Sequence, residues 1–139
     1  MENKEELNQL VMQIEEYKRQ FNEVLREIQM MDAALVEIEG TKEAIGSIAS
    51  ELNTLIPLGS NVYARGEISD GKKVVMGIGA GVFVEKTIDD AVKALGKRNG
   101  DVKKEVDDLR KTAEKIGNLI SQLNQKAEEL VGKGQEKTG

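Results

Sequence analysis

The sequence contains no cysteine and no histidine. Thiolate nucleophiles, disulfides, imidazole acid–base chemistry and zinc centres of the usual ligand type are therefore excluded. Tryptophan is also absent, and two Phe and two Tyr are the only aromatics in 139 residues. A compact globule of this length usually buries several large rings. Here the apolar content is mostly Ile, Val, Leu, Ala and Met beside abundant Glu and Lys, a mixture suited to long paired helices. Proline occurs once, at Pro57, so long stretches are free of the residue that breaks helices. No apolar run approaches the ~20 residues that cross a bilayer. The opening MENKEELNQL has no apolar core of a secretory leader. A basic surplus is lacking as well: 20 Lys and Arg face 25 Asp and Glu, a net charge of −5. That balance disfavours nucleic acid as a partner. The expectation is a cytoplasmic protein without a nucleic-acid or membrane partner, and with no catalytic residues, metal or cofactor.

What the chain does have is heptad spacing. In the first segment, residues 1–56, Leu7, Ile14, Phe21, Ile28 and Leu35 form one series, with Ala49 and Ile56 further on. Leu10, Tyr17, Val24, Met31, Ile38, Ile45 and Leu52 form the other. These are a and d positions sustained over about seven heptads, the pattern of a left-handed coiled coil. Lys42 falls in the a series, where a charge either fixes register or snorkels past the seam. Gly40 and Gly46 each weaken the helix by about 1 kcal/mol relative to Ala. If helical to Pro57, the segment would span roughly 80 Å.

The spacing returns in residues 87–131. Ile88, Leu95, Val102, Leu109, Ile116, Leu123 and Leu130 alternate with Val92, Asn99, Val106, Ala113, Ile120 and Ala127. Thr87 ahead of Asp89 and Asp90 is a helix-start signal, since acids favour the first turn. Asn99 is either a register device or, with Gly96 and Gly100, a local distortion. The tail 132–139 carries no apolar residue and is expected to fray.

Residues 57–86 are Gly-rich and β-branched. Strands are predicted over 61–68, 73–78 and 81–85. Ser69-Asp70-Gly71 reads as one hairpin turn and Gly79-Ala80-Gly81 as another. A short strand through Leu58 is expected ahead of the first. The fold class is mainly α with a small β insert. Two long helices fold back as an antiparallel coiled coil, joined by two β-hairpins. So few strands cannot stand alone in water, and their free edges invite other chains. Oligomerisation through the hairpins is therefore expected.

Leu55-Ile56-Pro57-Leu58, the strand Val62–Ile68, and Val74 through Lys86 followed by Ile88-Asp89-Asp90-Ala91 resemble the corresponding segments of the prefoldin α subunit family. Two hairpins instead of one mark the α type. The resemblance implies a hetero-hexamer of two α and four β subunits, with the hairpins forming a β-barrel platform. It also implies ATP-independent capture of unfolded client proteins at the coiled-coil tips and their delivery to a group II chaperonin, in an archaeal or eukaryotic cytosol. At the tip, Leu7, Leu10 and Ile14 are set against Leu123, Ala127 and Leu130, with Val11 and Val131 beside the seam. They are candidates for client binding, with seam packing as the alternative. Met12 lies further round the first helix. Val62, Ala64, Ile68, Val74, Met76, Ile78, Val82 and Val84 are the candidates for assembly, with packing inside their own subunit as the alternative.

Competing motifs are weaker. Gly77, Gly79 and Gly81 imitate a phosphate loop, but Val82 stands where a dinucleotide pattern needs glycine and no GK[ST] triplet follows. The acid pairs Glu15-Glu16, Asp89-Asp90 and Asp107-Asp108 belong on solvated faces. Two alternatives remain: a coiled-coil scaffold or filament, in which hairpin pairing propagates openly, and a coiled-coil hairpin that binds nucleic acid, against which the net charge weighs.

Overall fold

The computed structural model describes residues 2–48, 50 and 52–138. The elements run α1 (Glu2–Ile48), β1 (Asn53–Gly59), β2 (Val62–Glu67), β3 (Lys73–Gly79), β4 (Val82–Thr87) and α2 (Ile88–Thr138). The chain divides into two compact units, Met1–Asp32 with Lys104–Gly139, and Ala33–Lys103.

In the first unit α1 and α2 run antiparallel. Leu10 and Leu130 line one cleft, Phe21 lies against Gly117, and Arg110 approaches Asp32 at 3.8 Å. Numbers rise along one helix as they fall along the other. Ile14 and Ile28 of α1 and Val106, Ala113 and Ile116 of α2 are buried. The remaining heptad positions of this unit are half-buried, and most residues between them are exposed. Full burial of an aliphatic side chain contributes about 1.5–3 kcal/mol, so this seam carries the unit. The Phe21 ring lies against α2 at Gly117, where an added Cβ would make an ordinary contact at 3.8 Å from Cε2. On the outer face of α1, Arg19 bonds Glu16 at 2.5 Å and Glu23 at 2.6 Å. Hydrogen bonds from Arg19 and Gln20 hold the Glu16 carboxyl below its ordinary value. The group is fully exposed, so solvent screens the pair.

In the second unit Lys42 and Ile45 on α1 are half-buried, and Ala91, Leu95 and Asn99 on α2 are buried. Asn99 is buried at 6% exposure. Its Nδ2 donates to Glu39 Oε1 at 3.0 Å, and Lys42 Nζ lies 3.6 Å from the same oxygen. Lys42 also reaches toward Gly96, whose added Cβ would stand 3.8 Å from Nζ. Lys42 therefore pairs with a carboxylate one turn back on its own helix and keeps only 27% of its side chain exposed. Gly96 and Gly100 do not interrupt α2.

α1 ends at Ile48, eight residues before the boundary read from the sequence, and Pro57 lies inside β1. Serines supply the stop that Pro57 was expected to give. Ser47 Oγ donates to Ala44 O at 2.9 Å, and Ser50 donates to Ser47 O at 3.2 Å through both Oγ and its backbone N–H. These bonds satisfy carbonyls that a helix end leaves without partners. Leu52 and Ile56 consequently leave the heptad seam. Ala49 lies outside the described residues. Pro57 is tolerated because it faces Tyr63 beside a register shift, where one ladder donor is dispensable.

Each hairpin is an isolated antiparallel pair, β1 with β2 and β3 with β4. The turns are Gly59-Ser60-Asn61 and Gly79-Ala80-Gly81, all six residues with positive φ. Two consecutive left-handed residues make the turn whose twist matches paired strands. The expectation that Ser69-Asp70-Gly71 turns a hairpin is corrected: it connects the two hairpins, and Asp70 Oδ1 accepts from Lys72 N at 2.9 Å. The reason is that Gly59-Ser60-Asn61, whose Asn61 was expected to begin the first strand, supplies the tighter reversal. The hairpins are copies of each other at an interval of 20 residues. Asn53↔Glu67 through Gly59↔Val62 becomes Lys73↔Thr87 through Gly79↔Val82. The closing bond Ile68 N→Leu52 O becomes Ile88 N→Lys72 O.

Thr87 Oγ1 accepts from Asp90 N at 3.2 Å and caps α2, as its sequence context predicts. From residue 132 the helix continues to Thr138 where fraying was expected. No proline stops it, and extending an existing helix costs far less than starting one.

Candidate functional site

Two surfaces leave apolar side chains in water. The first lies in the first unit, near the start of α1 and the end of α2. Leu7, Leu10, Leu123, Ala127 and Leu130 are half-buried and Ile14 is buried, so these six finish the seam. Val11 and Val131 are each 44% exposed beside it, and Met12 is 69% exposed further round. Leu10 and Leu130 share a cleft of about 350 Å³ rimmed by Glu6, Gln9, Gln13, Lys126, Glu129 and Lys133. The structure thus brings the eight candidate tip residues to one end of one helix pair. It separates those that pack inward from those that face out. Such a surface, apolar at its centre with a flexible charged rim, can hold extended apolar chain without selecting a sequence.

The second surface is the hairpin pair in the second unit. Strand alternation divides each hairpin into two faces. Of the eight assembly candidates, Val62, Ile78 and Val82 are exposed, whereas Ala64, Ile68, Val74, Met76 and Val84 are half-buried. The larger exposed groups are Leu55, Leu58, Tyr63, Val75 and Phe83, between 55% and 69% exposed. Sequence reading passed over these as assembly candidates. The signal that finds them is the 20-residue repeat, which pairs Leu55 with Val75, Leu58 with Ile78 and Tyr63 with Phe83 at equal register. All four strands have a free edge among the described residues. Monomers rarely leave so many large apolar side chains together in water.

Among the described residues no group of three or more acidic side chains is placed to hold a metal. No helix among them is long and apolar enough to cross a membrane. The geometry is that of a protein that binds and assembles: an antiparallel helix pair, two duplicated hairpins with open edges, and an apolar end.

Residues 17–133 match the family model described as Prefoldin subunit, and the chain belongs to the prefoldin family. It is similar to prefoldin subunit alpha 1 of Methanocaldococcus jannaschii, 30% identical over 95% of this chain and 92% of that one. Prefoldin subunit alpha of Methanococcus aeolicus is 31% identical over 91% of this chain and 83% of its own length. That of Methanobrevibacter smithii is 23% identical over 97% and 94%. The fold also matches a chain from the cryo-EM structure of filamentous PFD from Methanocaldococcus jannaschii. There the TM-score is 0.57 at 21% identity, covering 91% of this chain and 98% of that one. The family is one of chaperone subunits that form oligomeric complexes.

Proposed function

We propose that the chain is the α-type subunit of a hetero-hexameric holdase with two α and four β subunits. It captures non-native proteins at the apolar end of its helix pair without ATP and passes them to a group II chaperonin in the cytosol. The observation that carries the reading is the charged-rimmed cleft that half-buried Leu10 and Leu130 share, with Val11 and Val131 exposed on the same two helix ends. An unfolded client exposes apolar side chains, and this end offers apolar contact without a shaped pocket. The hairpins join the subunits through their free edges and exposed Leu55, Leu58, Tyr63, Val75 and Phe83. The test is aggregation suppression on a denatured client, with no nucleotide, by the mixed complex. Replacing Leu10, Val11 and Leu130 with Ser weakens protection and leaves complex size unchanged. Unchanged protection would remove the tip from the mechanism.

A second reading, open self-assembly into a filament, is favoured by one observation: both hairpins keep unpaired edges. It requires particle size to grow with concentration in the chain alone.

A further inference from the structure

The two hairpins are built alike but covered unlike. β3 lies along the helix ends of its own chain. Val74 and Met76 are half-buried. Residues 74–77 form one wall of a cleft of about 500 Å³ whose other walls include Ile38 and Ile45 of α1 and Ala91 and Leu95 of α2. Arg98 of α2 donates from Nη2 to Gly77 O at 2.9 Å and ties the strand to the helix. β1 is the copy of β3, yet every one of its residues is exposed. Thr54 and Ile56 stand where Val74 and Met76 stand in the copy, and Ile56 is 47% exposed. Pro57 stands where Gly77 stands, its carbonyl oxygen free of any such cation among the described residues.

The return strands behave differently. Ala64 and Gly66 of β2 have the same half-buried character as Val84 and Lys86 of β4. Ile56 itself lies over Gly66, where an added Cβ would come within 2.5 Å of Ile56 Cδ1. On the face that carries Val74 and Met76 in one hairpin and Thr54 and Ile56 in the other, the difference in cover is therefore confined to β1. That face of β1 matches in register the surface that α1 and α2 cover on β3.

Each copy of the chain brings two such hairpins and one helix-pair seat, and its own β3 faces that seat across the cleft and is tied to it by Arg98. Copies of this chain alone leave one hairpin per copy without a cover. We infer that the Thr54–Ile56 face of β1 docks on the helix pair of a different subunit. That subunit presents small and branched aliphatic residues, as Ala91, Leu95 and Ile38 do here, and a cation toward the Pro57 carbonyl. This rests on the assembly reading above and adds to it which hairpin reaches across, and onto what. Hairpin 2 is the fixed one and hairpin 1 the crossing arm.

The absence of native cysteine makes the test direct. Ile56→Cys supplies a single thiol for a benzophenone maleimide. Met76→Cys and Val36→Cys serve as the seated and the exposed-helix comparisons. Each labelled chain is mixed with a recombinant archaeal prefoldin β subunit, sized by light scattering, irradiated and mapped by mass spectrometry. The expected result is adducts from position 56 on helical residues of the β subunit, several-fold above those from position 36. Position 76 is expected to react with α1 or α2 of its own chain. Adducts from position 56 confined to strand residues, or to a second copy of this chain, would overturn the inference while leaving assembly standing. Failure of position 76 to reach its own helices would remove the covered twin on which the inference depends. Absence of any mixed complex with unlabelled chain would instead defeat the assembly reading, and this inference with it.

Discussion

Asn99 is the residue whose role the sequence left most open, and its surroundings resolve it. A buried amide bonded to Glu39, with Lys42 at the same carboxylate oxygen, gives α1 and α2 one polar register mark in an otherwise aliphatic seam. Such a mark lowers stability and raises specificity. Asn99→Leu is therefore expected to stabilise the fold by on the order of 1 kcal/mol in denaturant unfolding. It should also broaden the distance distribution between spin labels at Glu43→Cys and Lys97→Cys. A sharper distribution would refute the register role. Gly79 makes a second test. At φ 117 it has a conformation that a side chain resists, so Gly79→Ala is expected to cost about 1–3 kcal/mol of local stability. Ala80→Gly, at φ 51, should gain about 0.5–1 kcal/mol. Hydrogen exchange at the β3–β4 amides reads both. Lys42 and Asn99 were visible in the sequence as interruptions of the heptad. That both meet at Glu39 was not, because Glu39 is off the a and d positions and looks like any surface acid.

At the scale of elements, heptad positions could be read individually, whereas strand ends could not. The heptad positions from Leu7 through Ile45 and from Ile88 through Leu130 are buried or half-buried, each within its own unit, as their spacing requires. The boundary at Ile48 was missed because Leu52 and Ile56 keep helical spacing by coincidence. What competes there is pairing with β2, closed by Ile68 N→Leu52 O at 2.6 Å. A partner strand overrides a local preference worth tenths of a kcal/mol. The tip shows the same division between local and tertiary information. Ile14 is 7% exposed and Val11 44%, three residues apart on one helix. Ile14→Ser is expected to destabilise the helix pair by roughly 2–4 kcal/mol. Val11→Ser should change stability by about 0.5 kcal/mol or less and still reduce client protection. Thermal unfolding and aggregation assays on the two variants separate packing from binding. Equal losses of protection at equal stability would show that the seam itself is what clients touch.

At the scale of the whole molecule, the exposed apolar side chains of the hairpins predict that the isolated chain is not the working form. Light scattering should give a discrete, concentration-independent complex on mixing with an archaeal prefoldin β subunit. The chain by itself should give smaller or ill-defined species. Growth of the unmixed chain with concentration would instead favour open assembly. The family match over residues 17–133 and the duplicated hairpins agree that assembly is part of the function.

Thr87 is at once the last residue of β4 and the cap of α2. No connecting segment separates strand from helix there, whereas residues 49–52 intervene between α1 and β1. α2 is therefore joined directly to its hairpin. Torque on hairpin 2 passes into α2 without slack, so α2 takes its direction of departure from the strand's twist. Two glycines inserted after Thr87 would uncouple them.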